Sequence, residues 1–119
     1  MGETYIVVQI RAEASKKRGE VRLLVDTGAT YSWISRRDLE KYDVKPVRKV
    51  KFRTMNGSMV EREVGYVFVE YEGEEAPTVS VFAEEGDGNV FGLHGLESLG
   101  LEVDAATQTV RKSEALLAL

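Results

Sequence analysis

The chain of 119 residues contains no cysteine and only two prolines, and its apolar stretches are all short. The absence of cysteine excludes disulfides, thiolate metal sites and a cysteine nucleophile, and it fits a protein of the reducing cytoplasm. No stretch approaches the roughly 18 apolar residues that a membrane-spanning helix needs. Residues 1–10 carry no basic head followed by an apolar run, so we expect no secretory signal.

The chain also has little net charge, because 20 acidic and 16 basic residues leave a net charge of −4. This balance gives no indication of nucleic-acid binding through phosphate neutralisation. Hydrophobic residues make up 43% of the chain and charged residues 30%, as is typical of a soluble globular protein. The length predicts a single domain over residues 1–119. The Met1 start favours a free-standing protein over a processing domain excised from a polyprotein.

Short strand-like segments separated by glycine-bearing turns fill most of the sequence. The pair Asn56–Gly57 between two such segments is a strong hairpin signal, since both residue types tolerate positive φ. Ser35 can cap a brief helical turn, and His94–Leu99 predicts a short helix closed by Gly100. The sequence therefore predicts an all-β fold, a small closed barrel or folded sandwich with one short C-terminal helix. The predicted strands are 5–10, 21–25, 31–34, 47–52, 59–71, 78–83, 101–104 and 109–110, with a loop at 14–19 and an apolar segment at 90–93.

Asp26 stands at the end of the apolar segment Val21–Val25 and begins the triplet Asp-Thr-Gly. A carboxylate at a strand end, followed by a glycine turn, can be held rigidly while it faces a cleft. Thr27 can lock such a loop through backbone hydrogen bonds, and Gly28 allows a close approach of the backbone. The alternative is a turn in which Asp26 caps its own backbone, as aspartate commonly does. The triplet alone leaves both interpretations open.

The segment Leu23–Ala29 resembles the apolar strand and Asp-Thr-Gly-Ala motif of the retropepsin-like aspartic proteases, the family of the retroviral enzymes and their relatives. The Asn56–Gly57 hairpin lies where that family has its flap. Val90–Leu93 resembles a late motif of two apolar residues and a glycine that leads into a helix. Gly100–Asp104 resembles the ending of many microbial members. These features follow the family's order over about residues 5–112, so the chain is identified as a member, of the microbial branch.

The resemblance implies a retropepsin-type barrel in which Asp26 is the catalytic aspartate. It implies that Thr27 grips its counterpart across a two-fold axis, and that Gly28 supports the active-site loop and lines the cleft. Gly92 is expected to pack beneath this loop, and Trp33 to form core or cleft wall, with a flap-supporting role as in pepsin-like relatives. The residues that the resemblance assigns to substrate binding are Ala29, Thr30, Met55, Asn56 and Gly57.

Three positions depart from the retroviral pattern. Thr30 replaces an aspartate, and Leu93 and His94 stand where the family's helix typically begins with arginine. The flap carries a methionine and an asparagine in place of a run of glycines. These differences concern the specificity of the cleft and the mobility of the flap, and they leave the catalytic triplet intact.

Catalysis of this type needs two carboxylates that share a proton, activate a water and polarise the scissile carbonyl. The sequence contains a single such triplet, so we expect a homodimer in which Asp26 of each chain meets at an isologous interface. The hypothesis is a homodimeric aspartic endopeptidase that cleaves peptides or unfolded protein segments, without cofactor or metal. Tyr5–Ile10 and Leu116–Leu119 are candidate dimer contacts, or else an ordinary edge strand and terminus. The alternative is a catalytically inactive dimerisation or peptide-binding module of the same fold.

Other chemistry is weakly indicated. His94 is the single histidine, and no Gly-x-Ser-x-Gly elbow accompanies it, which argues against a Ser-His-Asp site. The acidic segment Glu84–Asp87 predicts a solvated loop rather than a calcium site. Lys16–Arg18 predicts an exposed hairpin tip, and Arg36–Arg37 a solvated helix face.

Overall fold

The computed structural model describes residues 3–113, which form nine strands and two short helices. The candidate dimer segment Leu116–Leu119 lies outside these residues. The strands are β1 (Tyr5–Arg11), β2 (Arg18–Asp26), β3 (Ser32–Ser35), β4 (Arg48–Arg53), β5 (Met59–Tyr71), β6 (Glu74–Ala83), β7 (Val90–Gly92), β8 (Leu101–Asp104) and β9 (Thr109–Lys112), and the helices are α1 (Arg36–Lys41) and α2 (Leu93–Ser98).

Six of the strands close into a barrel in the order β1-β2-β7-β3-β6-β5, and an antiparallel pairing of β5 with β1 completes the circle. Strand β4 continues the sheet beyond β5 as a seventh strand. Two pairs of neighbouring strands run parallel, β2 with β7 and β3 with β6. Strands β8 and β9 form a separate hairpin. The prediction of an all-β fold with a small closed barrel is therefore confirmed.

The core lies inside the barrel because apolar residues alternate along its strands. In β1, Ile6, Val8 and Ile10 are buried, whereas Tyr5 and Val7, which alternate with them, are exposed. Full burial of such a side chain contributes about 1.5–3 kcal/mol. The other apolar side chains of this cluster include Val21, Leu23, Ile34, Leu39, Val67, Val69, Phe82, Phe91 and Leu96.

The two helices lie where the sequence indicated helical structure. The predicted cap of α1 forms, since the Asp38 N–H donates to Ser35 Oγ at 3.2 Å. What the sequence suggested as a brief turn is thus a regular helix, which buries Leu39. Helix α2 is the predicted C-terminal helix, and Gly100 beyond it has a φ of 68°. No helical segment within residues 3–113 has the length and apolar character needed to cross a membrane.

Hairpin geometry differs from the prediction in two places. Between β5 and β6 only Glu72 and Gly73 intervene, and both have positive φ, so this is the tight two-residue hairpin. At the Asn56–Gly57 hairpin only Gly57 has positive φ. Its N–H donates to the Thr54 carbonyl at 3.0 Å, which fits a wider three-residue loop.

Two arginines bind the loop after β6 to the barrel. Arg36 donates to both carboxylate oxygens of Glu84 and, at 2.7 Å, to Glu63. Arg62 donates to Asp87 from Nε at 2.7 Å and from Nη2 at 3.0 Å. Arg37 and Glu85 are exposed, as the predictions of a solvated helix face and a solvated acidic loop require. Arg36, Glu84 and Asp87 are half-buried in ion pairs that these predictions missed, because the partners come from distant parts of the chain.

Strand β2 is also longer than predicted. Arg18 and Gly19, which the sequence assigned to a loop, pair with β1. Arg18 gains an ion pair with Glu70 at 2.6 Å, on the strand that closes the barrel against β1. Strand β2 therefore begins three residues before its first apolar residue, Val21, because its pairing with β1 continues to Arg18.

Candidate active site

Asp26 is the last residue of β2 and the first exposed residue of the loop Asp26–Thr30. The Gly28 N–H donates to Asp26 Oδ1 at 2.9 Å, and the Ala29 N–H donates to the Asp26 carbonyl at 3.1 Å. The second carboxylate oxygen, Oδ2, receives no hydrogen bond from residues 3–113. The loop thus orients the carboxylate through one oxygen and leaves the other available at the surface.

Helix α2 holds the far end of this loop. The Leu93 N–H donates to the Ala29 carbonyl at 2.8 Å, and the His94 N–H donates to the Thr30 carbonyl at 3.0 Å. The first N–H groups of a helix have no partner within the helix, so the loop satisfies them. These contacts use backbone atoms alone. They therefore do not depend on which side chains stand at positions 93 and 94.

Gly92 lies beneath the loop, as expected. A Cβ at this position would meet the Tyr31 carbonyl oxygen at 2.5 Å and that of Ala29 at 2.8 Å. The Gly92 N–H donates to Ser32 Oγ at 3.0 Å, and Ser32 is fully buried. Only a residue without a side chain allows this close approach between β7 and the chain that follows the loop.

An aromatic cluster joins the segment after the loop to strand β4. The rings of Trp33 and Phe52 lie 5.2 Å apart, and those of Tyr31 and Phe52 lie 6.4 Å apart and edge-on. These distances are typical of favourable aromatic pairs. Trp33 therefore contacts the base of the β4–β5 hairpin, and its flap-supporting role stays a prediction.

The tip of that hairpin carries Met55, Asn56 and Gly57. Asn56 Oδ1 accepts hydrogen bonds from the Thr54 hydroxyl and, at 3.2 Å, from the Ser58 N–H. The Met55 side chain is fully exposed. No hydrogen bond in the described part of the chain connects this tip with Asp26–Thr30, so the two groups of predicted site residues are linked through the aromatic cluster.

Thr27 faces outward beside an apolar hollow. This hollow is lined by Thr27, by the apolar residues Leu93, Leu96, Leu101 and Val103, and by Glu97, Glu102 and Ser113. Among residues 3–113, no partner hydrogen-bonds to the Thr27 hydroxyl.

His94 has a positional role. Its Nδ1 lies 2.9 Å from Thr78 Oγ1, and its ring lies edge-on to Tyr31 at 6.2 Å. No serine or carboxylate of the described residues hydrogen-bonds to the ring. Across residues 3–113, no three His, Cys, Asp or Glu side chains come together as a metal-binding group would require.

Sequence reasoning missed four residues that shape the site: Tyr31, Ser32, Phe52 and Thr78. Strand β3 buries Ser32 and Ile34 and leaves Trp33 and Ser35 partly exposed, so Ser32 lies at an inward position. A polar residue at an inward position signals a buried hydrogen bond. The contacts of the remaining three depend on tertiary packing, and no local pattern indicates them.

A closed six-strand barrel with an Asp-Thr-Gly loop at a strand end, braced by a glycine and a short helix, defines an aspartic protease domain of the retroviral type. The family model described as gag-polyprotein putative aspartyl protease matches residues 12–101, and the chain belongs to this retropepsin-like family. No curated protein sequence matches the chain. The resemblance noted in the sequence is confirmed at family level, and the microbial branch stays a prediction.

Proposed function

We propose that the protein is a homodimeric aspartic endopeptidase in which Asp26 of two chains forms the catalytic pair. One observation carries this proposal: the exposed Asp26 carboxylate is held at one oxygen by the Gly28 N–H, at the end of a loop fixed from below. A group placed so rigidly at the surface is prepared to act on a substrate. The cysteine-free sequence suits work in the cytoplasm.

The chemistry requires a second carboxylate. Two aspartates a few ångströms apart cannot both ionise, so one keeps its proton. The ionised Asp26 takes a proton from a water, whose oxygen attacks the scissile carbonyl carbon, while the protonated aspartate donates to the carbonyl oxygen. The Asp26 that took the proton from water then donates it to the amide nitrogen as the C–N bond breaks, and the other Asp26 recovers its proton from a hydroxyl of the tetrahedral intermediate. The products are an acid and an amine, and the pair again shares one proton.

A second copy of the chain is the natural source of that carboxylate. The sequence contains one Asp-Thr-Gly triplet, and Asp26 Oδ2 has no partner among the described residues. The free hydroxyl of Thr27 supports the same arrangement, since an isologous interface would give it the partner's backbone to bind. Thr27 and Gly28 would then support the active-site loop of each subunit.

Substrate would lie between the loop and the hairpin tip. Ala29 and Thr30 would contact an extended peptide from below, and Met55, Asn56 and Gly57 would close over it as the flap. The exposed Met55 side chain supports this role, because a flexible apolar group adapts to many peptide side chains.

The second candidate is a catalytically inactive peptide-binding or dimerisation module. The hydrogen bond from the Gly28 N–H to Asp26 Oδ1 favours it in one respect, since an aspartate that merely caps a turn makes the same contact. The two candidates differ in whether Asp26 is needed for cleavage.

The test is peptide cleavage followed by mass spectrometry from acidic to neutral pH, with wild-type protein and the variants Asp26→Ala and Asp26→Asn. All forms are first checked for folding and dimerisation. We expect cleavage by the wild type alone. Equal cleavage by all forms would mark a contaminant, and folded wild-type dimers without cleavage would favour the inactive module.

A further inference from the structure

The segment Lys45–Arg53 carries a dense positive charge in a chain whose net charge is −4. It has no acidic residue, and all its basic side chains are exposed. None of them forms an ion pair within residues 3–113, whereas Arg11, Arg18, Arg36 and Arg62 are each paired with a carboxylate. Among residues 3–113, the charge of this segment is thus not engaged in ion pairs. Its basic residues are Lys45, Arg48, Lys49, Lys51 and Arg53.

Most of this charge lies on a sheet edge. Strand β4 is the last strand of the seven-stranded sheet and is hydrogen-bonded to β5 alone. No other strand of the described residues pairs with it. An edge of this kind presents a row of free backbone N–H and C=O groups that an extended chain can pair with.

The charges are ordered along this edge. Side chains alternate between the two faces of a strand, so Lys49, Lys51 and Arg53 share one face. Across β5, Glu63 lies opposite Lys49 and Glu61 lies opposite Lys51. The basic row is bordered by carboxylates on that side and by solvent on the free side. A strand added there would complete an acid–base–acid arrangement if it carried carboxylates at alternate positions.

The edge also belongs to the candidate active site. Phe52, between Lys51 and Arg53, contacts Tyr31 and Trp33, which follow the Asp26 loop, and the row Lys49, Lys51 and Arg53 lies on the opposite face of the same strand. The hairpin that contains β4 is the proposed flap, so a peptide that passes beneath its tip to reach Asp26 runs beside this strand.

We propose that β4 selects substrates with acidic residues: an extended peptide pairs with its free edge and places glutamate or aspartate at alternate positions beside Lys49, Lys51 and Arg53. This inference rests on the proposed protease function, because it names the substrate class of that site. Charge pairing at an exposed edge orients the peptide and raises its affinity, and salt screens the effect.

Edge lysines have another use, which is to prevent two sheets from joining edge to edge. That role requires repulsion between copies of β4 and nothing more. It predicts no difference between an acidic peptide and its neutral counterpart, so the two interpretations separate in a binding experiment.

The experiment uses a matched set of peptides with one scissile core and with glutamate, glutamine or lysine at three alternate flanking positions. Binding is measured by fluorescence anisotropy on the Asp26→Asn protein, which removes cleavage from the readout. Cleavage of the same peptides is measured on the wild-type dimer. The test variant is Lys51→Gln/Arg53→Gln. The control variant, Lys16→Gln/Lys17→Gln, removes the same charge from the exposed β1–β2 loop, which is not part of strand β4.

We expect the glutamate peptide to bind about tenfold more tightly than the glutamine peptide at low ionic strength, and the lysine peptide to bind most weakly. This ratio should approach one in the test variant and at about 0.5 M salt, and should persist in the control variant. Equal binding of the three peptides would overturn the inference. If the glutamate preference appears in binding but no peptide is cleaved, the protease proposal fails while the acidic-peptide site stands.

Discussion

Gly92 lies directly opposite Asp26 in the parallel pairing of β2 with β7, and the space left by its missing side chain is filled by the Tyr31 carbonyl. The loop that presents Asp26 therefore rests on the residue that pairs with Asp26. The next two N–H groups along the chain, those of Leu93 and His94, hold the far end of the loop. The short segment Gly92–His94 therefore supports the Asp26 loop both beneath it and at its far end.

The substitution Gly92→Ala tests this support. Its Cβ would lie 2.5 Å from the Tyr31 oxygen and 2.8 Å from that of Ala29, and backbone atoms cannot move without shifting the loop. We expect the free energy of unfolding in urea to fall by about 1–3 kcal/mol, and peptide cleavage to fall by about a hundredfold as Asp26 moves. Gly88→Ala is the control, since no atom lies within 4 Å of its Cβ. Unchanged stability and activity in Gly92→Ala would contradict the account.

Phe52→Ala tests the contact between hairpin and barrel. Trp33 is the single tryptophan, so its fluorescence reports on the removal of the ring 5.2 Å away. We expect emission to shift to longer wavelength as water reaches Trp33, and KM for peptides to rise several-fold as the hairpin loses its support. Phe68→Ala, whose ring lies under Arg11, is the control and should leave Trp33 emission unchanged. Identical spectra for wild type and Phe52→Ala would argue against the contact.

Thr27→Ala tests the proposed role of the free hydroxyl. If it binds across the dimer axis, its loss should raise the dimer dissociation constant about tenfold, as expected for one or two lost hydrogen bonds. Thr27→Ser keeps the hydroxyl and should dimerise like wild type. Analytical ultracentrifugation measures both. Equal dissociation constants for the alanine and serine variants would show that the hydroxyl has no part in the interface.

The pairing of Arg62 with Asp87 predicts how stability depends on acid. The hydrogen bond from Arg62 is the largest cause that lowers the pKa of Asp87 below its ordinary value of 3.8. A lowered folded pKa stabilises the protein above the unfolded pKa, and this contribution disappears as the pH falls through the folded value. We therefore expect Asp87→Asn to destabilise the protein at pH 6 and to have much less effect near pH 2.

Urea denaturation at several pH values measures this difference between Asp87→Asn and wild type. Glu85→Gln serves as the control, because Glu85 is exposed and lies two residues away. A destabilisation by Asp87→Asn that is the same at both pH values would show that the charge of Asp87 does not contribute to stability.

Most of the barrel could be predicted from the sequence because its information is local. Alternation of apolar residues marks β1 and β5, and the capping serine marks α1. The identity of the tight hairpin could not be predicted, since Asn56–Gly57 has the stronger turn sequence, yet Glu72–Gly73 forms the two-residue turn. Tyr71 of β5 pairs with Glu74 of β6, which leaves two residues in the turn between them. This pairing register is set by the contacts of both strands in the whole sheet.

The candidate site divides in the same way. Asp26 and Gly92 are found from motifs, because the proposed catalysis and the close packing each demand one residue type. Arg36 could not be assigned, since its partner Glu84 lies 48 residues away and joins it only through the fold. The flap role of Met55 and the pairing of two Asp26 residues stay predictions, because both concern a second chain or a bound peptide.

The most direct test of the central claim mixes wild-type and Asp26→Asn chains, allows the subunits to exchange, and measures cleavage per wild-type chain. Native mass spectrometry first confirms the exchange. If each active site needs Asp26 from two chains, an equal mixture contains only about a quarter fully wild-type dimers. Cleavage per wild-type chain should then fall to about half of its value in the unmixed wild-type protein. Across mixtures, total activity should follow the square of the wild-type fraction. Total activity that follows the wild-type fraction linearly would show that one Asp26 suffices, and would contradict the account.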